Sequence, residues 1–288
     1  MSPRLKQRLI VSSIGILGLG SAIYFSHTSW FKPIFIFLTI VTAALALIEY
    51  YHLTQHCYFN PLVKLGVSSA AAYIGALGFT LYHPSLQALP SLVLLFALVL
   101  FFLALLRHQN SPVGNLAVTL FGIVYLVLPL SCAIRINYFF PEQAVQDGRL
   151  WLAYVLVVTK MTDMGAYFVG KTMGRHLLAP YVSPKKTIEG ALGGILASLA
   201  ASYLFYALSQ HGYFSSTFHL TGWQALIFGI GFSLLGQVGD LGESLLKREA
   251  KIKDSSHLPG LGGALDIVDS LVFTLPLMYL LLQMRIVE

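Results

Sequence analysis

Long apolar segments recur along almost the whole chain, and they decide what kind of structure it can form. A transmembrane helix needs about 20 predominantly apolar residues. Nine segments qualify, and they are Leu9–Phe25, Pro33–Leu53, Leu62–Leu81, Leu92–Leu106, Leu116–Ile134, Leu150–Val169, Ile188–Leu208, Trp223–Leu235 with an extension to about Gly239, and Ile267–Leu282. Only 10% of the 288 residues are charged, against about 25% in soluble domains. The sequence therefore predicts an all-α, polytopic integral membrane protein with about nine transmembrane helices.

The distribution of basic residues predicts the orientation of these helices. If the N-terminus is cytoplasmic, most lysines and arginines fall on the cytoplasmic side, as the positive-inside rule requires. The segments 83–90 and 210–222 then lie outside, and neither contains a lysine or an arginine. The charged loops 171–187 and 240–266 lie inside. The net charge of +6 is thus explained by topology, and it does not indicate nucleic-acid binding.

The acidic residues divide the chain into two parts. Residues 150–270 contain eight of the twelve acids, whereas residues 1–148 are apolar with scattered charges. We therefore interpret residues 1–148 as a scaffold of transmembrane helices. Residues 149–288 are interpreted as the catalytic region, with its two charged loops on the cytoplasmic face.

The segment 239–270 is the densest group of charges in the chain. Asp240 ends the eighth apolar segment and Asp266 begins the ninth, so both are expected at the cytoplasmic membrane surface. Mg²⁺ prefers one or two carboxylates together with phosphate oxygens and water. Asp240 and Asp266 are therefore predicted to bind Mg²⁺. Asp269 lies three residues after Asp266 and shares its helix face.

Basic residues and glycines in this segment indicate a phosphate ligand. Lysine and arginine form charge-assisted hydrogen bonds to phosphate, and glycine lets the backbone approach a ligand closely. The candidate residues are Lys247, Arg248, Lys253, Gly262 and Gly263, with Asp254 as an orienting residue. The alternative is an amphipathic surface helix with Glu–Lys pairs at i,i+4. That alternative accounts for Glu243 and Glu249, but it does not account for acids at helix ends.

A second block, Ser183–Gly190, combines lysines with a predicted helix start. Pro184 disfavours helix at the residue before it, and Thr187 can cap the helix that follows. Lys185 and Lys186 then lie beside a helix N-terminus, which is a favourable place for a phosphate group. The alternative is a basic loop that only anchors to anionic lipid headgroups.

The third block, Asp163–Lys171, begins with an ionisable residue inside a predicted span. Such a residue is costly in a bilayer and rarely faces lipid. Lys160 lies one turn before Asp163. The two residues are interpreted either as an ion pair that stabilises the helix bundle or as part of a polar cleft near the active site.

Three blocks of the sequence resemble the phosphatidate cytidylyltransferases, which are also called CDP-diacylglycerol synthases. In chain order, the blocks are Asp163–Lys171, Ser183–Gly190 and Ser244–Ser270, and they follow the order found in that family. The resemblance implies Mg²⁺ bound by Asp240 and Asp266, with a second cation such as K⁺ nearby. It also implies a homodimer in a bacterial inner membrane, with the dimer contacts in residues 1–148 and the active site facing the cytoplasm.

The chain departs from the family pattern at two positions. The family commonly reads L-I-P-G-H-G-G where this chain reads L-P-G-L-G-G at 258–263, so one residue is absent and Leu261 replaces a histidine. Ile267 stands where the family commonly has an arginine. Neither departure changes an acid, so the predicted metal ligands are retained.

The expected reaction is transfer of a cytidylyl group from CTP to phosphatidate, which gives CDP-diacylglycerol and pyrophosphate. The expected catalytic residues are Asp240, Asp266, Lys247, Arg248 and Asp269. The expected binding residues are Ser183, Lys185, Lys186, Thr187, Lys253, Asp254, Gly262 and Gly263. Two alternatives stay open: a CTP-dependent lipid kinase of the polyprenol type, and a transporter of an anionic solute, which would place its charges near the bilayer midplane.

Overall fold

The computed structural model confirms the predicted fold class. It describes residues 18, 20–106, 111–140, 146–214, 217–252 and 263–286. Within these ranges, eight helices are long and apolar enough to cross a membrane. The protein is therefore an integral membrane protein that is almost entirely helical. The first predicted span, Leu9–Phe25, lies mostly outside the described residues, and the cytoplasmic N-terminus stays a prediction.

The helices are numbered here in chain order. The first five are α1 (Phe31–His56), α2 (Val63–Thr80), α3 (Leu89–Leu105, after a 3₁₀ turn at Pro84–Leu86), α4 (Pro112–Gly122) and α5 (Leu128–Asn137). The next five are α6 (Gly148–Met173), α7 (Ile188–Gln210), α8 (Gly222–Glu249), α9 (Ala264–Val268) and α10 (Leu271–Gln283). A π-helical turn at Ile123–Val127 joins α4 and α5 into one span. The last span consists of α9 and α10 together.

The described residues form two compact units. The first contains the residues up to Ile134 and the segment Leu246–Val268, and the second contains Arg135–Leu245 and the residues from Asp269 onward. The segment Leu246–Val268 belongs with the N-terminal helices because α9 packs against α1. The boundaries of these packing units therefore do not coincide with the domain boundary predicted at residue 148. The functional division predicted at that residue stays a prediction.

Buried hydrogen bonds tie α1 and the segment after it to α4 in the first unit. The Tyr51 hydroxyl donates to the backbone oxygen of Thr119 at 3.0 Å, and the Thr119 hydroxyl accepts the backbone N–H of Leu62 at 3.0 Å. The backbone N–H of Asn60 donates to the side chain of Asn115 at 2.8 Å. Polar groups inside a membrane protein need such internal partners because lipid offers none.

Small residues bring α6 and α7 close together in the second unit. Gly165 on α6 faces Ala197 and the backbone of Gly193 on α7, and Gly193 in turn faces Val169. Membrane helices commonly pack through small residues because these let two backbones approach closely. The pair of glycines in the second turn of α7, Gly193 and Gly194, is thus explained by packing.

A short β-hairpin precedes α7, where the sequence predicted a loop over 171–187. Strands β1 (Leu177–Ala179) and β2 (Ser183–Thr187) pair antiparallel, with Leu177 opposite Thr187. The predicted cap is confirmed, since the Thr187 side chain accepts the backbone N–H of Gly190 at 3.1 Å. The hairpin was missed because two very short strands leave little alternating pattern in a polar segment.

The predicted end of the eighth span near Gly239 is wrong. Helix α8 continues to Glu249, so Asp240 lies within the helix and Lys247 lies in its last turn. Residues 240–249 contain no proline, and seven of the ten are leucine, glutamate, lysine or arginine, which favour helix. Their charge had suggested a loop, but helix formation depends more on propensity and on the burial of one face.

Replacing Gly165 by alanine tests the packing of α6 on α7. A Cβ at residue 165 would overlap the side chain of Ala197 and the backbone of Gly193. Overpacking of this kind costs about 1–3 kcal/mol, so we expect a lower thermal unfolding midpoint in detergent. Gly75→Ala is the matched control, because nothing lies within 4 Å of its new Cβ. Equal midpoints for the two variants would contradict the proposed contact.

Candidate functional site

Three carboxylates come together in the second unit. Asp240, Glu243 and Asp269 each offer an oxygen, and these oxygens lie within 4.8 Å of one another. Asp240 and Glu243 share a face of α8 because they are three residues apart, and Asp269 lies at the turn between α9 and α10. Glu243 is 3% exposed and Asp269 is 6% exposed. Buried carboxylates this close repel one another, so the trio favours binding of a cation.

A glycine allows the trio to form. Gly239 precedes Asp240 on α8, and a Cβ at this glycine would overlap the backbone oxygen of Asp269. The turn that carries Asp269 can therefore lie directly on the helix that carries Asp240. Any larger residue at 239 would push the two acids apart.

Lys186 connects the hairpin to the trio. Its Nζ lies 2.6 Å from Oδ2 of Asp240. The ion pair joins a lysine predicted to bind phosphate to an acid predicted to bind a metal. Lys186 belongs to β2 and Asp240 to α8, so the proximity of the two residues is a product of the tertiary structure.

Lys160, Asp163 and Ser270 form a closed triangle of hydrogen bonds beside the trio. Lys160 Nζ lies 3.1 Å from Asp163 Oδ2 and 2.8 Å from Ser270 Oγ, and that hydroxyl lies 3.1 Å from the same Asp163 oxygen. The predicted Lys160–Asp163 pair is confirmed. Because Ser270 follows Asp269 directly, the triangle also holds the backbone next to that acid.

A cavity of about 470 Å³ opens beside Lys186 and Asp240. Ligand pockets commonly have volumes of about 300–1,000 Å³. The polar residues that line it are Asp163, Tyr167, Lys171, Ser183, Lys185, Lys186, Thr187, Gln237 and Asp240. Four of the predicted binding residues thus share one cavity. Asp163 also lines this cavity, and its interpretation as part of a polar cleft near the active site stays a prediction.

Glu189 holds the base of the hairpin. Its Oε2 accepts the backbone N–H groups of Arg175 and His176 at 3.0 and 3.2 Å. Its Oε1 lies 2.5 Å from Nδ1 of His176. Because Glu189 lies in the first turn of α7, these contacts fix the strand pair against the start of that helix and so help to place Lys185 and Lys186.

The first unit contains another group of predicted site residues. Lys247 Nζ pairs with Oδ1 of Asp266, and the backbone N–H of Gly263 donates to Oδ2 of Asp266 at 3.3 Å. Arg248 is exposed on the last turn of α8. The prediction that Asp266 shares Mg²⁺ with Asp240 stays a prediction. Lys253, Asp254, Leu261 and Gly262 lie outside the described residues.

Sequence reasoning missed two acids. Glu243 was interpreted as a residue of a surface helix, and the surface position is wrong because Glu243 is buried beside Asp240 and Asp269. Its i,i+3 spacing from Asp240 could have placed it on the same helix face. Glu49 was not considered, although it is an acid within an apolar span, and such residues are commonly functional.

The fold and the site define an integral membrane protein whose cavity joins carboxylates to lysines. The model of the cytidylyltransferase family matches residues 6–285, and the chain belongs to that family.

Bacterial relatives support this assignment. The chain is 34% identical over 178 residues to the phosphatidate cytidylyltransferase of Chlamydia muridarum (strain MoPn / Nigg), covering 61% of this chain and 58% of the relative. It is 42% identical over 150 residues to that of Staphylococcus haemolyticus (strain JCSC1435), covering 52% and 54%. It is 41% identical over 140 residues to the phosphatidate cytidylyltransferase of Bacillus subtilis (strain 168), covering 48% of this chain and 49% of the relative. The chain thus spans between about half and three fifths of the length of these relatives.

Glu243→Gln tests the trio as a cation site. Removing one of three neighbouring carboxylates should raise the apparent dissociation constant for Mn²⁺, used as a probe for Mg²⁺, by about tenfold or more. Binding can be measured by electron paramagnetic resonance on the purified protein. Glu249→Gln is the control, since Glu249 lies on the same helix and is exposed. Unchanged Mn²⁺ binding in Glu243→Gln would remove Glu243 from the site.

Gly239→Ala tests whether backbone proximity sets the geometry of the trio. The added methyl group should displace the turn at Asp269 and weaken Mn²⁺ binding about as much as loss of a carboxylate. Gly231→Ala is the matched control on α8, because the nearest atom to its new Cβ is 3.8 Å away. If both alanine variants bind Mn²⁺ like the parent protein, Gly239 has no such role.

Proposed function

We propose that this protein transfers the cytidylyl group of CTP to phosphatidate, forming CDP-diacylglycerol and releasing pyrophosphate. Membership of the cytidylyltransferase family supports the transferred group. The names of the bacterial relatives support the lipid acceptor. The observation that carries the proposal is the Lys186–Asp240 contact at the edge of the cavity, since it sets a lysine predicted to bind phosphate beside a candidate metal ligand.

The reaction needs little covalent chemistry from the protein. An oxygen of the phosphatidate phosphate attacks the α-phosphorus of CTP and forms a new P–O bond. The bond from that phosphorus to the oxygen bridging to the β-phosphate breaks, and pyrophosphate leaves with the electron pair. A phosphate monoester has its second pKa near 6, so the attacking oxygen is already anionic at neutral pH. A histidine base is not required, and Leu261 is compatible with the reaction.

The carboxylate trio fits a hard divalent cation. Asp240, Glu243 and Asp269 offer oxygen ligands at close range, which is the ligand type that Mg²⁺ prefers. When bound, Mg²⁺ would offset negative charge on the phosphate groups of CTP. Asp240 is retained from the sequence prediction, and Glu243 and Asp269 are added by geometry. Asp266 remains a proposed ligand on the sequence pattern and the family resemblance.

The basic residues are proposed to position the phosphate groups. Lys185 and Lys186, with Ser183 and Thr187 beside them, line the cavity and are proposed to bind the phosphates of CTP. Phosphoryl transfer depends chiefly on such positioning and on charge neutralisation. The remaining pair, Lys247 and Arg248, is proposed to bind the lipid phosphate.

The charge pattern supports a cytoplasmic active site. The segments 171–187 and 240–252 contain four and three lysine or arginine residues, and an excess of these residues in short loops favours the cytoplasmic side. Location in the bacterial inner (cell) membrane is proposed on the family resemblance. A homodimer and a second cation such as K⁺ are proposed on the family resemblance.

Position-specific labelling of CTP tests the reaction. Purified protein is incubated with phosphatidate, Mg²⁺ and CTP labelled on either the α- or the γ-phosphorus. We expect the α-label alone to enter the lipid, with pyrophosphate released in equal amount. Entry of the γ-label would indicate a lipid kinase. Absence of label from the lipid, with uptake of anions into sealed vesicles, would indicate a transporter.

Asp240→Asn should abolish most of this activity. Removal of one preorganised electrostatic group at a reacting centre commonly costs about 100-fold or more in kcat. The control is again Glu249→Gln, which removes a carboxylate from the exposed part of the same helix. If Asp240→Asn retains the full rate, Asp240 is not part of the catalytic site.

A further inference from the structure

Glu49 is a buried acid in a membrane-spanning helix that lies outside all three sequence blocks. It is the only acidic residue in α1, and it is 4% exposed. A buried carboxylate is costly unless hydrogen bonds hold it. We therefore expect hydrogen-bond donors around the Glu49 carboxylate.

Both oxygens of Glu49 accept backbone hydrogen bonds from the start of α9. The N–H of Ala264 donates to Oε1 at 2.9 Å, and the N–H of Leu265 donates to Oε2 at 2.8 Å. The first N–H groups of a helix have no partner within that helix. A carboxylate also suits this end of a helix, because the exposed N–H groups carry partial positive charge. Glu49 thus binds two successive amides with one rigid group.

The next residue in the chain is Asp266. Its carboxylate accepts the N–H of Gly263 at 3.3 Å and pairs with Lys247. Three successive amides, at residues 263–265, are therefore held by the carboxylates of Glu49 and Asp266. The direction of the Asp266 side chain depends on the path of this short backbone segment. Glu49 is the tertiary anchor of that path, 215 residues away from Ala264 in sequence.

We propose that Glu49 is a positioning residue for Asp266. It fixes the backbone at Ala264 and Leu265 and thereby holds the Asp266 carboxylate against Lys247. The inference rests on the proposed function, in which Asp266 and Lys247 take part in binding metal and phosphate. Glu49 itself touches neither substrate.

Glu49→Gln is the most informative substitution. Glutamine has the shape of glutamate, so the side chain still fits, and its oxygen can accept one of the two amides. Its NH₂ group then faces the other N–H, and that hydrogen bond is lost. We expect amide hydrogen exchange at residues 264–265 to become faster, as measured by mass spectrometry on the detergent-solubilised protein. Unchanged exchange at these two amides would overturn the proposed anchor.

Activity then tests whether the anchor acts through Asp266. Loss of an outer positioning partner commonly costs about 10- to 100-fold in activity, so Glu49→Gln should lower kcat for CDP-diacylglycerol formation by that factor. In a double-mutant cycle with Asp266→Asn, the double variant should lose little more than Asp266→Asn alone, because both changes remove one function. Independent, multiplying losses would show that Glu49 has only a general structural role.

Two controls separate the possible failures. Glu249→Gln makes the same chemical change at an exposed position of α8 and should leave exchange at residues 264–265 and the rate unchanged. An unchanged thermal midpoint for Glu49→Gln excludes global unfolding. If the parent protein forms no CDP-diacylglycerol, the proposed function fails and the positioning role fails with it. The exchange measurement still decides whether Glu49 holds the backbone.

Discussion

A carboxylate buried among membrane-spanning helices must take its hydrogen bonds and its counter-charge from the protein, because lipid supplies neither. In the second unit, Lys160 and Ser270 hold the half-buried Asp163, and Lys186 pairs with the half-buried Asp240. In the first unit, backbone amides hold Glu49. Apart from the Lys160–Asp163 pair within α6, each contact joins residues from different elements, so the partners of the acids also place the elements that carry the site.

Close backbone approach is the second requirement of the site. Gly239 lets the turn at Asp269 lie against α8, and Gly165 lets α7 lie against α6. Helix α7 begins at the Thr187 cap, directly after the strand that carries Lys186. The glycine contact between α6 and α7 therefore helps to determine where a candidate phosphate ligand lies. These two glycines therefore help to place charged residues of the candidate site, because they let neighbouring backbone segments pack closely.

Much of the fold and part of the site could be predicted from residue patterns. Eight of the nine predicted spans correspond to helices in the described residues, because apolar length is a local property. The Thr187 cap and the Lys160–Asp163 pair are also local, and both are confirmed. The end of α8 was predicted wrongly, since charge density was taken as evidence of a loop.

The sequence by itself determined that this is a helical membrane protein with acids and lysines concentrated in its C-terminal half. It also contained the three blocks that resemble the cytidylyltransferases. The tertiary structure decided which of these charges meet. It brought Asp269 to Asp240 and Glu243, paired Lys186 with Asp240, and set Glu49 against Ala264. Such pairings join residues far apart in the chain, and they depend on helix packing that no local pattern records.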